Sequence, residues 1–157
     1  MLYDTLIRNA TVIDGSNTPG YRADVAILNG RIERIGDLSA DNADEVVDAR
    51  GRVLAPGFID VHTHDDTVVI RQPQMLPKLS QGVTTVIVGN CGISASPVSL
   101  RGDPPDPMNL LGTSAAFVYS RFSDYRTAVE AARPTLNVAA LVGHTALRSN
   151  HLDDLQR

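Results

Sequence analysis

Among 157 residues the sequence has a single cysteine, Cys91, and a single lysine, Lys78. One thiol cannot form an internal disulfide, so a disulfide-stapled scaffold is excluded. No run approaches the roughly 18 apolar residues that a membrane-spanning helix needs. A signal peptide is argued against by Asp4 and Arg8, which fall inside what would have to be its apolar core. Positive charge is in deficit. With a formal net charge of −4, the chain has no basic excess to recruit nucleic acid or an anionic membrane surface. There is no internal repeat and no low-complexity tract. The cytoplasm is the expected compartment, and neither nucleic acid nor membrane is an expected partner; oligomeric state is left open.

What is present fits a soluble globular protein, with 43% hydrophobic and 20% charged residues. The length allows one ordinary domain, or a small domain and part of a larger one. The first part reads as short strands in "YDTLIRNATVID", "ADVAILNGRIERIGDL" and "EVVDARGRVLAP". Asn29-Gly30, flanked by the apolar-rich runs 25–28 and 31–35, is the strongest short-range signal for a type I′ hairpin. A second turn is expected at Arg50-Gly51. These features predict a small antiparallel unit over residues 1–55.

After Pro56-Gly57 the texture changes. "FIDVH" reads as a buried strand, "PQMLPKLSQG" as a short helix ending at Gly82, and "VTTVIVG" as a β-branched second strand. Residues 90–120 are rich in Pro, Gly and Ser without periodicity, the mark of a functional or disordered loop. A helix follows in "SDYRTAVEAARP", with Ser123 as candidate N-cap and Pro134 just past its end. "NVAALVGH" reads as a third strand, and "LDDLQR" could begin another helix. Residues 56–157 thus predict α/β structure built on a parallel sheet, whose chemistry sits at the carboxyl ends of its strands. His62, His64, Cys91 and His144 all fall at or just past those ends.

In "PGFIDVHTHDD", two histidines at i and i+2 of an extended strand point to one face and can both reach a divalent cation at about 2.0–2.1 Å. The same pair could be two polar residues at a strand end; its place after a buried strand and before Asp65-Asp66 favours the metal. Asp60 is read as structural, accepting hydrogen bonds beneath the site. Cys91 sits between Asn90 and Gly92 at the mouth of the long loop, a poor place for core packing. Its thiolate could bind a thiophilic metal or remain a small buried group. His144 could touch substrate, act as an outer partner or cap the strand; His151 is read as surface, and Arg148 could pair with a substrate carboxylate bidentately, with a solvated arginine as the preferred reading.

"GFIDVHTHDD" together with "GVTTVIVGNCGISASP" resembles the N-acyl-D-amino-acid deacylases (D-aminoacylases) of the amidohydrolase superfamily. The HxH is common to the superfamily, whereas "NCGIS" separates this branch from hydantoinases and dihydroorotases, whose bridging ligand is typically a carboxylated lysine. Lys78, on the helix after the first strand, points to no site on this reading. The resemblance spans essentially the whole chain. It implies part of a composite β-sandwich over 1–55 and the first three strands of a (β/α)8 barrel over 56–157. It further implies metal ligation by His62, His64 and Cys91, usually of zinc, as one ion or two, and a small-molecule N-acyl-D-amino acid substrate near His144. The general-base aspartate of such enzymes has no counterpart here. The expectation is therefore the N-terminal part of a longer enzyme, incomplete and inactive alone, with a cyclic-amide hydrolase or a non-catalytic assembly partner as the alternatives.

Overall fold

A computed structural model describes residues 2–100 and 102–152. The chain divides into two compact units, Met1–Pro56 and Gly57–Arg157.

The first unit is a five-stranded sheet of β1 (Leu2–Val12), β2 (Tyr21–Leu28), β3 (Arg31–Gly36), β4 (Asn42–Asp48) and β5 (Val53–Leu54). Asn29 and Gly30, with φ of 52° and 71°, join β2 to antiparallel β3 as their sequence demands. The sheet is mixed, which corrects the expectation of an antiparallel unit: β4 and β5 both run parallel to β1. The connection 37–41 crosses one face of the sheet to make this possible, and Leu38 on it is buried with Tyr3, Leu6 and Ala26. A two-residue Asn-Gly turn fixes the pairing of the strands it joins, whereas the longer connection 37–41 leaves the partner of β4 unspecified by local sequence.

Arg50-Gly51 is a different case. Both residues have positive φ, 52° and 79°, yet the turn reverses nothing, because β4 and β5 lie in succession along the same strand. It is a jog matched by a bulge in β1, where Asn9 adopts φ 58° and the register with β2 shifts between Ile7 and Ala10. The Gly51 N–H donates to Asn9 O at 2.8 Å. Asn9 Nδ2 donates to Asp48 Oδ1 at 2.9 Å, and the Arg50 N–H donates to the same oxygen at 3.0 Å.

The second unit runs β6 (Phe58–Asp60), α1 (Val68–Arg71), α2 (Leu76–Leu79), β7 (Val83–Val88), α3 (Phe122–Ala132), β8 (Asn137–Ala140) and α4 (His144–Ser149). Its sheet has the order β6-β7-β8 with both pairings parallel. The β-branched β7 is central and buries Val86 and Val88 against Val69, Met75 and Leu136. The outer strand β6 leaves Phe58 at 65% and Ile59 at 59% exposure, so its apolar run is not covered on both faces.

Several local expectations are revised. The single helix read in "PQMLPKLSQG" is only the four-residue α2, with Pro at its first turn and left-handed Met75 (φ 46°) before it; α1 was not legible. Ser123 does not cap α3: the helix begins at Phe122 after extended Arg121, with no side-chain cap. The helix ends at left-handed Arg133 (φ 50°), where Pro134 disfavours helical geometry in the residue before it. The described residues of 90–120 form neither strand nor long helix. They fold over a core of their own, with Ile93, Val98, Met108, Leu111, Ala116 and Phe117 packed on Ala146. The helix considered from Leu152 onward falls on residues 153–157, outside the described residues. Among the described residues no helix is long and apolar enough to cross a membrane.

The jog makes one prediction. The Asn9 amide and the Arg50 N–H hold the Asp48 carboxyl below its ordinary value of 3.8. A carboxyl lowered in this way contributes stability above its unfolded pKa and loses it as pH falls through the folded one. Asn9→Gly keeps the positive φ accessible and removes only the side-chain bond. The Asp48 titration, followed by carboxyl NMR, is expected to move up toward 3.8, with the acid limb of unfolding moving to higher pH; an unmoved titration would show that the amide bond is not its cause.

Candidate metal centre

β6 stops at Asp60, so the two histidines do not stand on a strand as the i, i+2 reading supposes. They follow it in a tied-down turn. Asp60 Oδ1 accepts the His62 N–H at 3.2 Å, and the Thr63 N–H still reaches Ile87 O on β7 at 3.4 Å. Asp60 therefore has the supporting place expected of it. Lys78, expected to point to no site, instead lies against this turn. Its ammonium pairs with Asp60, with Asp65 Oδ2 at 3.1 Å, and donates to Thr63 Oγ1 at 3.1 Å. Burial alone pushes the Lys78 ammonium down, and the two carboxylates outweigh it, leaving its pKa above the ordinary lysine value. The same ammonium holds the Asp60 carboxyl below its usual range. One cation thus staples Asp60, two residues before His62, to Asp65, the residue after His64.

The result is that the two imidazole rings lie 5.7 Å apart and nearly perpendicular, at 81°. Cys91, exposed just beyond β7, completes the group: its Sγ is 2.9 Å from His62 Nε2. One donor atom from each of His62, His64 and Cys91 lies within 4.8 Å of the others, a spacing that can hold a metal ion. His64 Nδ1 is buried with no hydrogen-bond partner. His144 is exposed as the first residue of α4 and outside this donor group, and His151 is exposed as expected.

Each residue of "GNCGISA", 89–95, has a separate physical reason. Cys91 and Gly92 have φ of 55° and 77°, and the Ile93 N–H closes the turn on Asn90 O at 3.0 Å. Two consecutive positive φ values are the mark of a primed turn, normally filled by Asn or Gly; a cysteine there costs about 1–2 kcal/mol. Asn90 turns its side chain back to Ile87 O at 2.6 Å. Gly92 O accepts the Thr145 N–H of α4 at 2.7 Å. Ile93 is fully buried in the core of the long segment. Ser94 Oγ accepts the Gly143 N–H at 3.0 Å and donates to Ser96 O at 2.7 Å. Asp66 turns inward to 1% exposure, accepting the N–H groups of Gly89 and Ala95. Burial pushes its carboxyl up.

The family model described as "Amidohydrolase family" matches residues 45–157. The chain belongs to this family. It is 50% identical over 155 residues to a D-aminoacylase of Alcaligenes xylosoxydans xylosoxydans, a match covering 99% of this chain and 32% of that protein. Among solved structures it is similar to a D-aminoacylase studied for its binuclear metal centre, at a TM-score of 0.94 and 48% identity over 99% of this chain and 32% of that one. It is likewise similar to the N-acyl-D-glutamate deacylase of Bordetella bronchiseptica complexed with zinc and a phosphonate inhibitor, at 0.93 and 44% over 100% and 33%. The chain spans about a third of the length of these relatives. Its overall class is the mixed α/β amidohydrolase fold.

Close backbone approach around the Cys91 turn yields a paired prediction. A Cβ at Gly89 (φ 82°) would meet Leu141 O at 2.1 Å, whereas one at Gly15 (φ 81°) would meet nothing within 4 Å. Gly15→Ala carries only the conformational penalty, about 1–2 kcal/mol. Gly89→Ala adds a backbone clash and is expected to cost well over about 3 kcal/mol or to prevent folding. Urea unfolding of the two variants side by side checks the difference; equal losses would mean that the clash relaxes freely.

Proposed function

We propose that the chain supplies part of the active site of a zinc-dependent hydrolase that cleaves N-acyl-D-amino acids to a carboxylate and a free D-amino acid. The observation that carries this reading is the convergence of the His62, His64 and Cys91 donors in a chain of the amidohydrolase family. Two imidazole nitrogens and one thiolate are the donor set that zinc accepts in tetrahedral sites. The buried, unpartnered His64 Nδ1 fits the same group, since a buried polar atom without a partner is costly unless something claims it. Substrate class is supported by the similarity to a D-aminoacylase and to an N-acyl-D-glutamate deacylase. The zinc complex of one relative and the binuclear centre of the other support zinc, in one ion or two.

When bound, the metal supplies Lewis-acid polarisation of the acyl carbonyl and lowers the pKa of water toward about 7. His62, His64 and Cys91 hold it. Lys78, through Asp60 and Asp65, keeps the histidine turn from opening. His144, exposed at the start of α4, is assigned to the substrate side. We also read residues 1–55 as part of a composite β-sandwich and 56–157 as the first part of a (β/α)8 barrel. The mixed sheet of the one and the parallel β6-β7-β8 order of the other support this reading.

The reading is tested by zinc analysis and turnover in the full polypeptide. Wild type is expected to carry zinc and to release D-amino acids from N-acetyl-D-glutamate or neutral N-acetyl-D-amino acids, leaving the L-enantiomers intact. Cys91→Ala is expected to lose tightly bound zinc and turnover together. Stoichiometric zinc retained in that variant would make the cysteine structural only and overturn the ligand assignment.

A further inference from the structure

Asp66 is not among the three donors, yet its side chain is the most enclosed charged group of the centre, at 1% exposure. Both of its oxygens face the backbone of the turn that carries Cys91. Oδ2 accepts the Gly89 N–H at 3.3 Å, two residues before the cysteine. Oδ1 accepts the Ala95 N–H at 3.1 Å, four residues after it. One carboxylate therefore closes 89–95 into a ring with Cys91 on its outer arc. The backbone of Asp66 is fixed in turn by the buried Tyr125 hydroxyl on α3, which donates to Asp66 O at 2.8 Å.

We propose that Asp66 is a positioning residue that couples the histidine turn to the cysteine turn and so sets where the Cys91 sulfur stands relative to both imidazoles. Asp66 lies two residues after His64, so the segment that presents one imidazole also grips the loop that presents the thiol. A non-glycine residue in the left-handed conformation of Cys91 (φ 55°) persists only where its surroundings over-determine it. The Asp66 clamp supplies that constraint at both ends of the turn. The role rests on the metal reading of the cluster.

An asparagine tests the clamp with minimal change in shape. It offers one acceptor oxygen and one NH2, so whichever way the amide is turned, a donor meets the N–H of Gly89 or of Ala95 and one limb opens. In the full polypeptide, Co2+ is the probe, because a cobalt–thiolate charge-transfer band reports on the sulfur directly. The band is expected in wild type and absent in Cys91→Ser. Asp66→Asn is expected to bind Co2+ 10–100-fold more weakly, in the range typical for loss of a supporting partner. Its band should be diminished or shifted, and its Gly89 and Ala95 amides should exchange faster with solvent. Tyr125→Phe should move the same readouts less. Wild-type affinity and band in a folded Asp66→Asn protein would overturn the role of Asp66 and leave the metal centre standing. A wild type without the band, or a Cys91→Ser variant that keeps it, would overturn the metal reading and this role with it. Should Asp66→Asn not fold, Tyr125→Phe carries the test, and unchanged affinity and band there overturn the proposal.

Discussion

The second unit depends on backbone packed directly against backbone. At Gly89 a side chain would overlap Leu141 O, and at Gly143 it would overlap Gly92 O at 2.4 Å. With no side chains between them, the turn after β7 and the segment after β8 exchange hydrogen bonds directly. Leu141 N–H reaches Val88 O at 2.9 Å, and Thr145 N–H reaches Gly92 O at 2.7 Å. The cysteine turn thereby takes its position from the sheet and from α4, a more rigid source than its own loop sequence. A site held to a few tenths of an ångström needs that kind of support.

This constraint explains why part of the site could be read from the sequence and part could not. His62, His64 and Cys91 are chemically distinctive, and their places near strand ends predict that they gather on one side of the sheet. The structural cause is different: the histidines converge through a turn stapled by Lys78, a residue expected on the helix after the first strand and away from any site. Asp65 and Asp66 are adjacent and identical in type, and nothing local says that one will pair with a lysine and the other will vanish into the interior. That choice is made by the N–H groups of Gly89 and Ala95, more than twenty residues away. Strand order in the first unit was illegible for the same reason. The hairpin at Asn29-Gly30 is written locally, and the parallel partnership of β1 with β4 goes with contacts distant in sequence, among them the burial of Leu38 with Tyr3 and Leu6.

The segment 90–120 carries a related lesson. Its apolar residues follow no helical or strand period, because the chain passes through short 3₁₀ turns at Met108–Leu111 and Ser114–Ala116. Periodicity is a property of regular elements, so an irregular segment can bury Ile93, Met108 and Phe117 without announcing it. The segment is a satellite core that begins one residue after the Gly92 turn. Ile93 thus ties the cysteine turn to a packed cluster on one side while the Asp66 carboxylate holds it on the other.

The single lysine gives this arrangement an unusual chemical profile. In most proteins, reagents that acylate side-chain amines scatter over a surface and leave the interior untouched. Here the one side-chain amine lies beneath the histidine turn, one quarter exposed and held by two carboxylates. Converting it to an amide would strip its charge and leave Asp60 and Asp65 facing each other without a counter-ion. The one thiol stands a few ångströms from the histidines. Covalent labelling, cross-linking or surface coupling through either side chain is therefore never neutral: the one side-chain amine and the one thiol are both part of one small structure.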